Sequence, residues 1–369
     1  MPAFGRSWAM ISRLKDCPIY KIDTGSIFGK EPMKVLITGI TGMAGSHLAE
    51  YLLKKGGYDV HGTIRWRSNR EHIRHIEKQL SLHECELRDP YAVLPVLKTV
   101  RPDYIYHLAS QSRVATSWIS PQETLINNIT GQLNLLEAVR HLDLTETRIH
   151  VAGSSEAYGM VEPNEIPVKE TNSLKPLSPY GVSKMTQDAL AYQYAKSYEL
   201  KIIRTRAFNH TGPRRGDVFV TSDFARQIVE IEMGRRKPII HVGNLAARRD
   251  FTDIRDVVRA YVLALETCEP GDVFNIGSGK AYAIQEVLDI LLAMCALNIE
   301  VKKDPKRMRP SDMPLMVCDN TLFCQQTGWQ PEISFEQSLS DLLDYWRIRL
   351  RRCYQTGRPE CMPQKVTAN

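Results

Sequence analysis

The sequence predicts an α/β protein, a doubly wound parallel sheet with a smaller C-terminal α/β lobe, and two observations carry that prediction. Short runs rich in β-branched residues alternate with amphipathic stretches from Met33 to about residue 207, the pattern of parallel strands covered by helices on both faces. A glycine-rich segment, Thr38-Gly39-Ile40-Thr41-Gly42-Met43-Ala44-Gly45, falls between the first run and the first amphipathic stretch, where such folds bind phosphate.

Taken in order, residues 34–38, 59–64, 104–108, 148–153 and 201–207 read as strands, and 45–55, 91–99, 123–141 and 180–198 as the helices between them. After about residue 208 the rhythm loosens into loops bearing Gly and Pro, with helices near 221–234, 253–267, 283–297 and 335–351. Residues 1–32 lack the continuous apolar run of a secretory signal and read as a poorly ordered leader. Residues 33–207 form the nucleotide-binding domain, its sheet gaining further strands from later in the chain. Residues 208–352 are mainly a substrate-binding lobe, and 353–369 a tail.

With 369 residues, 43% hydrophobic and 24% charged, the chain can bury a core without staples, which excludes collagen, coiled coil and wholesale disorder. The net charge of +6 is spread along the chain, densest at Arg235-Arg236-Lys237 and Arg347 to Arg352. Without a concentrated basic face and aromatic platforms, nucleic acid is not the expected partner; a mild basic balance suits a small anionic substrate. No stretch approaches the roughly 18 apolar residues of a membrane span. The eight cysteines form no CxxC pair and lie near no histidine at metal-ligand spacing. They read as reduced thiols of a cytoplasmic protein, with no metal site.

In the glycine-rich segment, Gly39, Gly42 and Gly45 let the backbone turn tightly and approach a pyrophosphate, which then sits on the unpaired amides of the helix that follows. The spacing differs from the GxGxxG of the simplest dinucleotide fingerprint. An NAD site places an acid at the end of the second strand, about 20 residues on, to bind the ribose hydroxyls. Here that end reads Ile64-Arg65-Trp66-Arg67-Ser68-Asn69-Arg70. Guanidinium groups there suit a 2′-phosphate, so the expected cofactor is NADP.

Tyr180 and Lys184 stand at i and i+4 on one helix face. An ammonium near the phenol, together with an oxidised nicotinamide, favours phenolate and hence proton exchange with a sugar hydroxyl. Tyr51/Lys55 and Tyr192/Lys196 repeat the spacing, but only Tyr180 follows turn chemistry, Pro176-Leu177-Ser178-Pro179. Upstream, Gly153-Ser154-Ser155-Glu156-Ala157-Tyr158-Gly159 ends a strand with hydroxyls and a carboxylate, where the strand holds them rigidly for a ligand.

These motifs in this order, with His107 to Ser110 (HLAS) and SPYGVSK, resemble the extended short-chain dehydrogenase/reductases over roughly Met33 to Arg352. The segments from Phe208 to Thr221, Val242 to Leu245 and Arg249 to Phe251 are similar to the branch acting on GDP-hexoses, which includes GDP-mannose 4,6-dehydratase-like enzymes, GDP-heptose dehydratases and GDP-4-keto-6-deoxymannose reductases. The resemblance implies that Gly39, Thr41, Gly42, Met43 and Gly45 hold the pyrophosphate of NADP and Arg65 its 2′-phosphate. Glu86 and Leu87 fall beside the adenine, where the family has a shorter acid. Leu108, Ala109 and Gln111 line the nicotinamide ribose, and Tyr180, Lys184, His210 and Arg215 complete the cofactor site. Asn209, Val218, Asn244, Arg249, Arg309 and Asp312 would engage the GDP-sugar.

The same resemblance implies catalytic roles for Ser154, Glu156, Tyr180 and Lys184. The dehydratases carry Thr-Ser-Glu at the strand end, and Ser154 keeps the hydroxyl; the reductases carry a second glutamate where this chain has Ala157. The expected activity is therefore a 4,6-dehydratase of GDP-mannose or a related GDP-sugar. The reductase, and a nonenzymatic NADP-binding regulator, remain as alternatives. A homodimer or homotetramer is expected, because helices 123–141 and 180–198 carry apolar residues on more than one face.

Overall fold

In the computed structural model, which describes residues 31–308 and 313–356, the alternation becomes a sheet of seven parallel strands. The first half runs β1 (Met33–Thr38), α1 (Met43–Lys55), β2 (Tyr58–Ile64), β3 (Ser81–Glu84), α2 (Pro90–Val100) and β4 (Tyr104–His107). The second runs α3 (Val114–Ile119), α4 (Pro121–Leu125), α5 (Gly131–His141), β5 (Arg148–Ser154), α6 (Pro179–Ser197) and β6 (Ile202–Ala207). After β7 (Asn209–Thr211) come α7 (Val220–Glu232), β8 (Ile239–Val242), β9 (Arg248–Asp253), α8 (Ile254–Thr267) and β10 (Val273–Ile276). The chain closes with β11 (Ala281–Ala283), α9 (Ile284–Ala293), β12 (Glu300–Lys303), β13 (Leu315–Met316), α10 (Thr321–Thr327) and α11 (Phe335–Thr356).

Strand order in the main sheet is β10-β6-β5-β4-β1-β2-β3, so the direction of winding reverses between β1 and β4. That switch point opens a crevice at the carboxyl ends of the strands, where open α/β sheets take ligands. Burial on both faces explains why the strands read as apolar runs. In β1, Val35 and Ile37 pack in one core with Leu48 and Leu52 of α1 and Val258 and Leu265 of α8. Leu36 faces the other way, into a second core with Val93 and Leu97 of α2, Leu135 of α5 and Ala191 of α6. A third core, built by Phe224, Ile228, Leu288, Leu342 and Trp346, belongs to the C-terminal lobe.

Three differences from the sequence reading have physical causes. The helix expected over 123–141 is interrupted at Ile126–Thr130 by one wide π turn, a form that recurs at functional sites. It carries Asn128 inward to donate to the Gln111 carbonyl at 3.1 Å and to Ser183 Oγ at 2.9 Å. The helix expected to reach residue 297 ends at Ala293, which frees the chain to enter β12 and pair with β8. Strand β3 was not expected, since Ser81-Leu82-His83-Glu84 is short and polar; it is the edge strand beside β2.

From residue 208 on, the chain contributes to both layers: β10 pairs with β6 in the main sheet, whereas β7, β9, β11 and β13 form a separate small sheet. The expected leader over residues 1–32 lies outside the described residues but for its last two, and the tail beyond Thr356 lies outside them as well. Among the described residues no helix is long and apolar enough to cross a membrane, and no group of three His, Cys, Asp or Glu could hold a metal. Cys85, Cys268, Cys295, Cys318, Cys324 and Cys353 are joined by no disulfide.

Candidate active site

The glycine turn is built for close approach. Gly39 takes φ 72°, and a Cβ there would lie 2.9 Å from Ala109 Cα; a Cβ on Gly45 would lie 2.4 Å from the Gly39 carbonyl oxygen. The turn can therefore press against the end of β4, a fit any side chain would spoil. Thr38 locks the two together: its Oγ1 accepts from the amides of Leu108 at 3.1 Å and Ala109 at 3.2 Å, and it bonds His107 Nδ1 at 3.0 Å. Gly42 caps α1 with no side-chain hydrogen bond, so the amides of Met43, Ala44 and Gly45 point outward with positive dipole behind them.

Opposite this turn lies an unneutralised cation. Arg215 stacks on Phe219, its Cζ 3.4 Å from the ring centre, and its Nη1 lies 3.8 Å from Met43 Sδ. No carboxylate among the described residues pairs with it. Burial pushes its pKa down to about 10, against the pull of Tyr180. An uncapped helix start and a half-buried arginine without an acid together fit a pyrophosphate or another bound anion.

The reactive groups gather at the end of β5. Ser154 caps the 3₁₀ turn Ser155–Ala157, its Oγ accepting from the Glu156 amide at 3.2 Å. On the neighbouring element, Pro179 opens α6 and Ser178 Oγ accepts from the Gly181 amide at 3.0 Å, which fixes the first turn and so the direction of Tyr180. A Cβ on Gly181 would lie 2.6 Å from the Glu156 carbonyl, so α6 and the strand-end turn meet backbone to backbone. Tyr180 hydrogen-bonds Ser154 and lies within the electrostatic reach of Glu156 and Arg215. His210 is the Arg215 side of the same cluster: burial, then the Arg215 charge, pushes its pKa down to about 3, so the ring is neutral.

Lys184, expected together with an oxidised nicotinamide to favour the Tyr180 phenolate, donates its Nζ to the Ala152 carbonyl at 2.9 Å and lies 5.9 Å from the Tyr180 ring centre. Burial raises Tyr180 to about 12, partly offset by Ser154 and Arg215. Burial lowers Lys184 to about 7. The protein alone thus holds a protonated phenol on the same helix as an amine poised near neutrality.

At the adenosine end, the three arginines do not act as one cluster. Arg70 is committed to Glu77 at 2.7 Å, and Arg67 stacks on Trp66 with its Cζ 4.8 Å from the ring centre. Arg65 makes no ion pair among the described residues. Glu86 turns back on Arg88, Oε2 to Nη2 at 3.0 Å, and both Arg88 and, more weakly, Arg65 hold its carboxyl below the usual range. Leu87 accepts from Asn134 through its carbonyl at 2.9 Å. Gln111 donates its amide to Asn128 Oδ1 at 2.7 Å.

The predicted sugar-nucleotide residues lie in the second part of the chain. Asn209 is in β7, paired with Phe251 of β9, Val218 is exposed in the loop before α7, and Asn244 accepts from the Ala246 amide at 3.0 Å. Arg249 donates to the Met313 carbonyl at 2.6 Å. Arg309 and Asp312 lie outside the described residues. Sequence reading missed Asn128 and Thr38; an asparagine inside an apolar helical run was the available signal for the first, and nothing marked the second.

A doubly wound sheet with a glycine turn at its switch point and a Tyr-Lys pair beside a strand-end serine defines a nicotinamide-nucleotide enzyme of the extended short-chain dehydrogenase/reductase class. The profile of the family described as GDP-mannose 4,6 dehydratase matches residues 36–342, and the chain belongs to that family. Among its relatives, the GDP-mannose 4,6-dehydratase of Vibrio cholerae is 35% identical over 347 residues, covering 84% of this chain and 92% of that protein. The GDP-6-deoxy-D-mannose reductase of Pseudomonas aeruginosa is 31% identical over 332 residues, covering 86% of this chain and 98% of that protein. The solved structure of RMD from Pseudomonas aeruginosa complexed with NADPH superposes with a TM-score of 0.74 at 29% identity, covering 86% of this chain and 99% of that one.

Proposed function

We propose that the chain is an NADP-dependent 4,6-dehydratase of GDP-mannose or a closely related GDP-sugar, releasing water and leaving a 4-keto-6-deoxy sugar. The observation that carries this reading is the convergence of Ser154, Glu156 and Tyr180 on one strand end, next to Arg215 and the glycine turn. Bound NADP supplies a hydride acceptor for C4 that later returns the hydride to C6. Tyr180, with Ser154 hydrogen-bonded to it, takes the proton from O4. The new ketone acidifies C5; Glu156 removes that proton while Ser154 hands a proton to the departing C6 hydroxyl and is resupplied by Tyr180 with the proton taken from O4, so that both hydroxyls are regenerated. Glu156 then returns a proton to C5. The sum is loss of one water with no outside reductant. With substrate deuterated at C4, the label is expected at C6 of the product; label lost to solvent would contradict the internal transfer.

Family relatives include a reductase, but Ala157, 1% exposed, offers neither the second carboxylate of that sequence pattern nor a solvated place for one. The GDP moiety is assigned to the lobe through Asn209, Val218, Asn244 and Arg249, with Arg309 and Asp312 following in sequence, and the protein to the cytoplasm.

Arg65 is proposed to select NADP over NAD. Arg65→Glu should weaken NADP binding by about 1.5–3 kcal/mol, the worth of a charge-assisted hydrogen bond, as measured by calorimetry; an unchanged NADP affinity would reject the assignment. A homodimer or homotetramer is proposed on the apolar side chains left outside by the helices around the site, Ile126 and Leu133 on one and Val182 and Tyr192 on the other. Light scattering should give a mass of at least two chains across the micromolar range, and a monomer throughout would reject it.

A further inference from the structure

The helix that carries Tyr180 and Lys184 and the turn that carries Ser154 and Glu156 are also joined from behind, through a buried polar chain. Asp188 follows Lys184 by one helical turn on the same face of α6. Its Oδ2 accepts from Arg206 Nε at 2.9 Å and its Oδ1 from Arg206 Nη2 at 3.1 Å and Arg204 Nη1 at 2.6 Å. Arg206, on β6, passes the connection on: its Nη1 donates to Tyr158 Oη at 3.0 Å and to the Glu170 carbonyl at 3.0 Å. Tyr158 in turn donates to Asn275 Oδ1 of β10 at 2.7 Å. Asn275 is pinned by its own amide donating to Glu170 Oε1 at 2.7 Å and its Nδ2 donating to the Val168 carbonyl at 2.9 Å.

Tyr158 and Asn275 are fully buried and Asp188 and Arg206 nearly so, so each of these bonds is made in a low-dielectric interior where its geometry is strongly enforced. Tyr158 stands two residues beyond Glu156 and four beyond Ser154. Beyond the β5–β6 ladder that ends at Ser154, its hydroxyl therefore adds a side-chain fastening of the strand-end turn to β6, β10 and, through Arg206 and Asp188, to α6.

We infer that Tyr158 is a positioning residue for the reaction: its hydroxyl, held between Arg206 and Asn275, sets the distance of the Ser154–Glu156 turn from Tyr180. This rests on the dehydratase reading. Tyr180 is held on α6, where Ser178 caps the helix and Lys184 is tied to Ala152, whereas Ser154 and Glu156 lie on the turn that leads directly into Tyr158. Loss of the Tyr158 hydroxyl should thus harm the carboxylate step more than the phenol step. The ring fills the same space in phenylalanine, so the fold can be kept while the fastening is removed.

The test is Tyr158→Phe in the full chain, with wild type in parallel. The expected result is a kcat lowered tenfold or more, the scale of loss when a catalytic group is slightly misplaced. KM for GDP-mannose and cofactor affinity should be unchanged, and bound reduced nicotinamide should accumulate in a single turnover because elimination lags behind C4 oxidation. Arg206→Lys, which keeps a cation for Asp188 but cannot fork to Tyr158, should show the same partition. Wild-type kinetics in either variant, or oxidation and elimination slowed equally, would overturn the assignment and leave the network a matter of folding alone. A wild type that releases no water from GDP-mannose would instead sink the dehydratase reading, and this inference with it.

Discussion

Glu156→Gln is expected to bind GDP-mannose, oxidise it at C4 and then stall. Glutamine preserves the size of the side chain and cannot accept a proton, and C4 oxidation precedes any need for the carboxylate. Overall turnover should fall on the order of 10²–10⁴, the usual loss for a positioned general acid or base. The distinctive sign is kinetic: absorbance of enzyme-bound reduced nicotinamide should rise in a single turnover and persist. Burial is the main cause of the raised Tyr180 pKa, and removing this charge takes away a smaller contribution in the same direction, so the first step should be no slower than in wild type. Turnover at the wild-type rate would show that the carboxylate is not the base, and the SSEAYG turn would then be only a turn.

Tyr180→Phe should fail one step earlier. The ring and its packing stay, but the proton acceptor at O4 is gone, so hydride cannot leave C4 and the bound cofactor stays oxidised. The rate loss belongs to the same range, on the order of 10²–10⁴. A burst of reduced nicotinamide in this variant would remove Tyr180 from the first step. Because burial holds its pKa at about 12 in the protein alone, the rate of C4 oxidation should depend on what lies beside the phenol. Ser154 and Arg215 both favour the ionised form there.

Much of the fold was legible because a buried parallel strand has to be apolar on both faces. Lys34 to Thr38 shows this: Val35 and Ile37 enter one core and Leu36 the other. Strand β3 was not legible, since at the sheet edge beside β2 its backbone pairing, rather than its side chains, makes it a strand. The π turn at Ile126–Thr130 was hidden for a related reason: periodicity averages over a helix, and one inserted residue leaves the apolar pattern nearly intact while rotating Asn128 inward.

In the site, the glycine turn, Ser154, Glu156 and Tyr180 could be picked out from order and spacing, because each sits at a strand end or helix start that the alternation already locates, whereas Arg215, in the loop between β7 and α7, came only from the family resemblance. What spacing could not give is side-chain direction. Lys184 was on the right face of α6, but its ammonium reaches a strand carbonyl rather than the phenol, and Arg70 was near the right strand end yet is held by Glu77. Nor could spacing reveal the Asp188–Arg206–Tyr158 connection, whose members lie on α6, β6 and the turn after β5 and meet only in the folded core.

The central claim is that this chain removes water from a GDP-hexose with no net redox change. The most direct measurement is mass spectrometry of GDP-mannose incubated with the purified protein and NADP, with and without added NADPH. The expected result is a product lighter than substrate by one water, formed equally in both samples. No loss of water from GDP-mannose, together with stoichiometric consumption of NADPH on a GDP-4-keto-6-deoxy-sugar, would contradict it and make the chain a reductase.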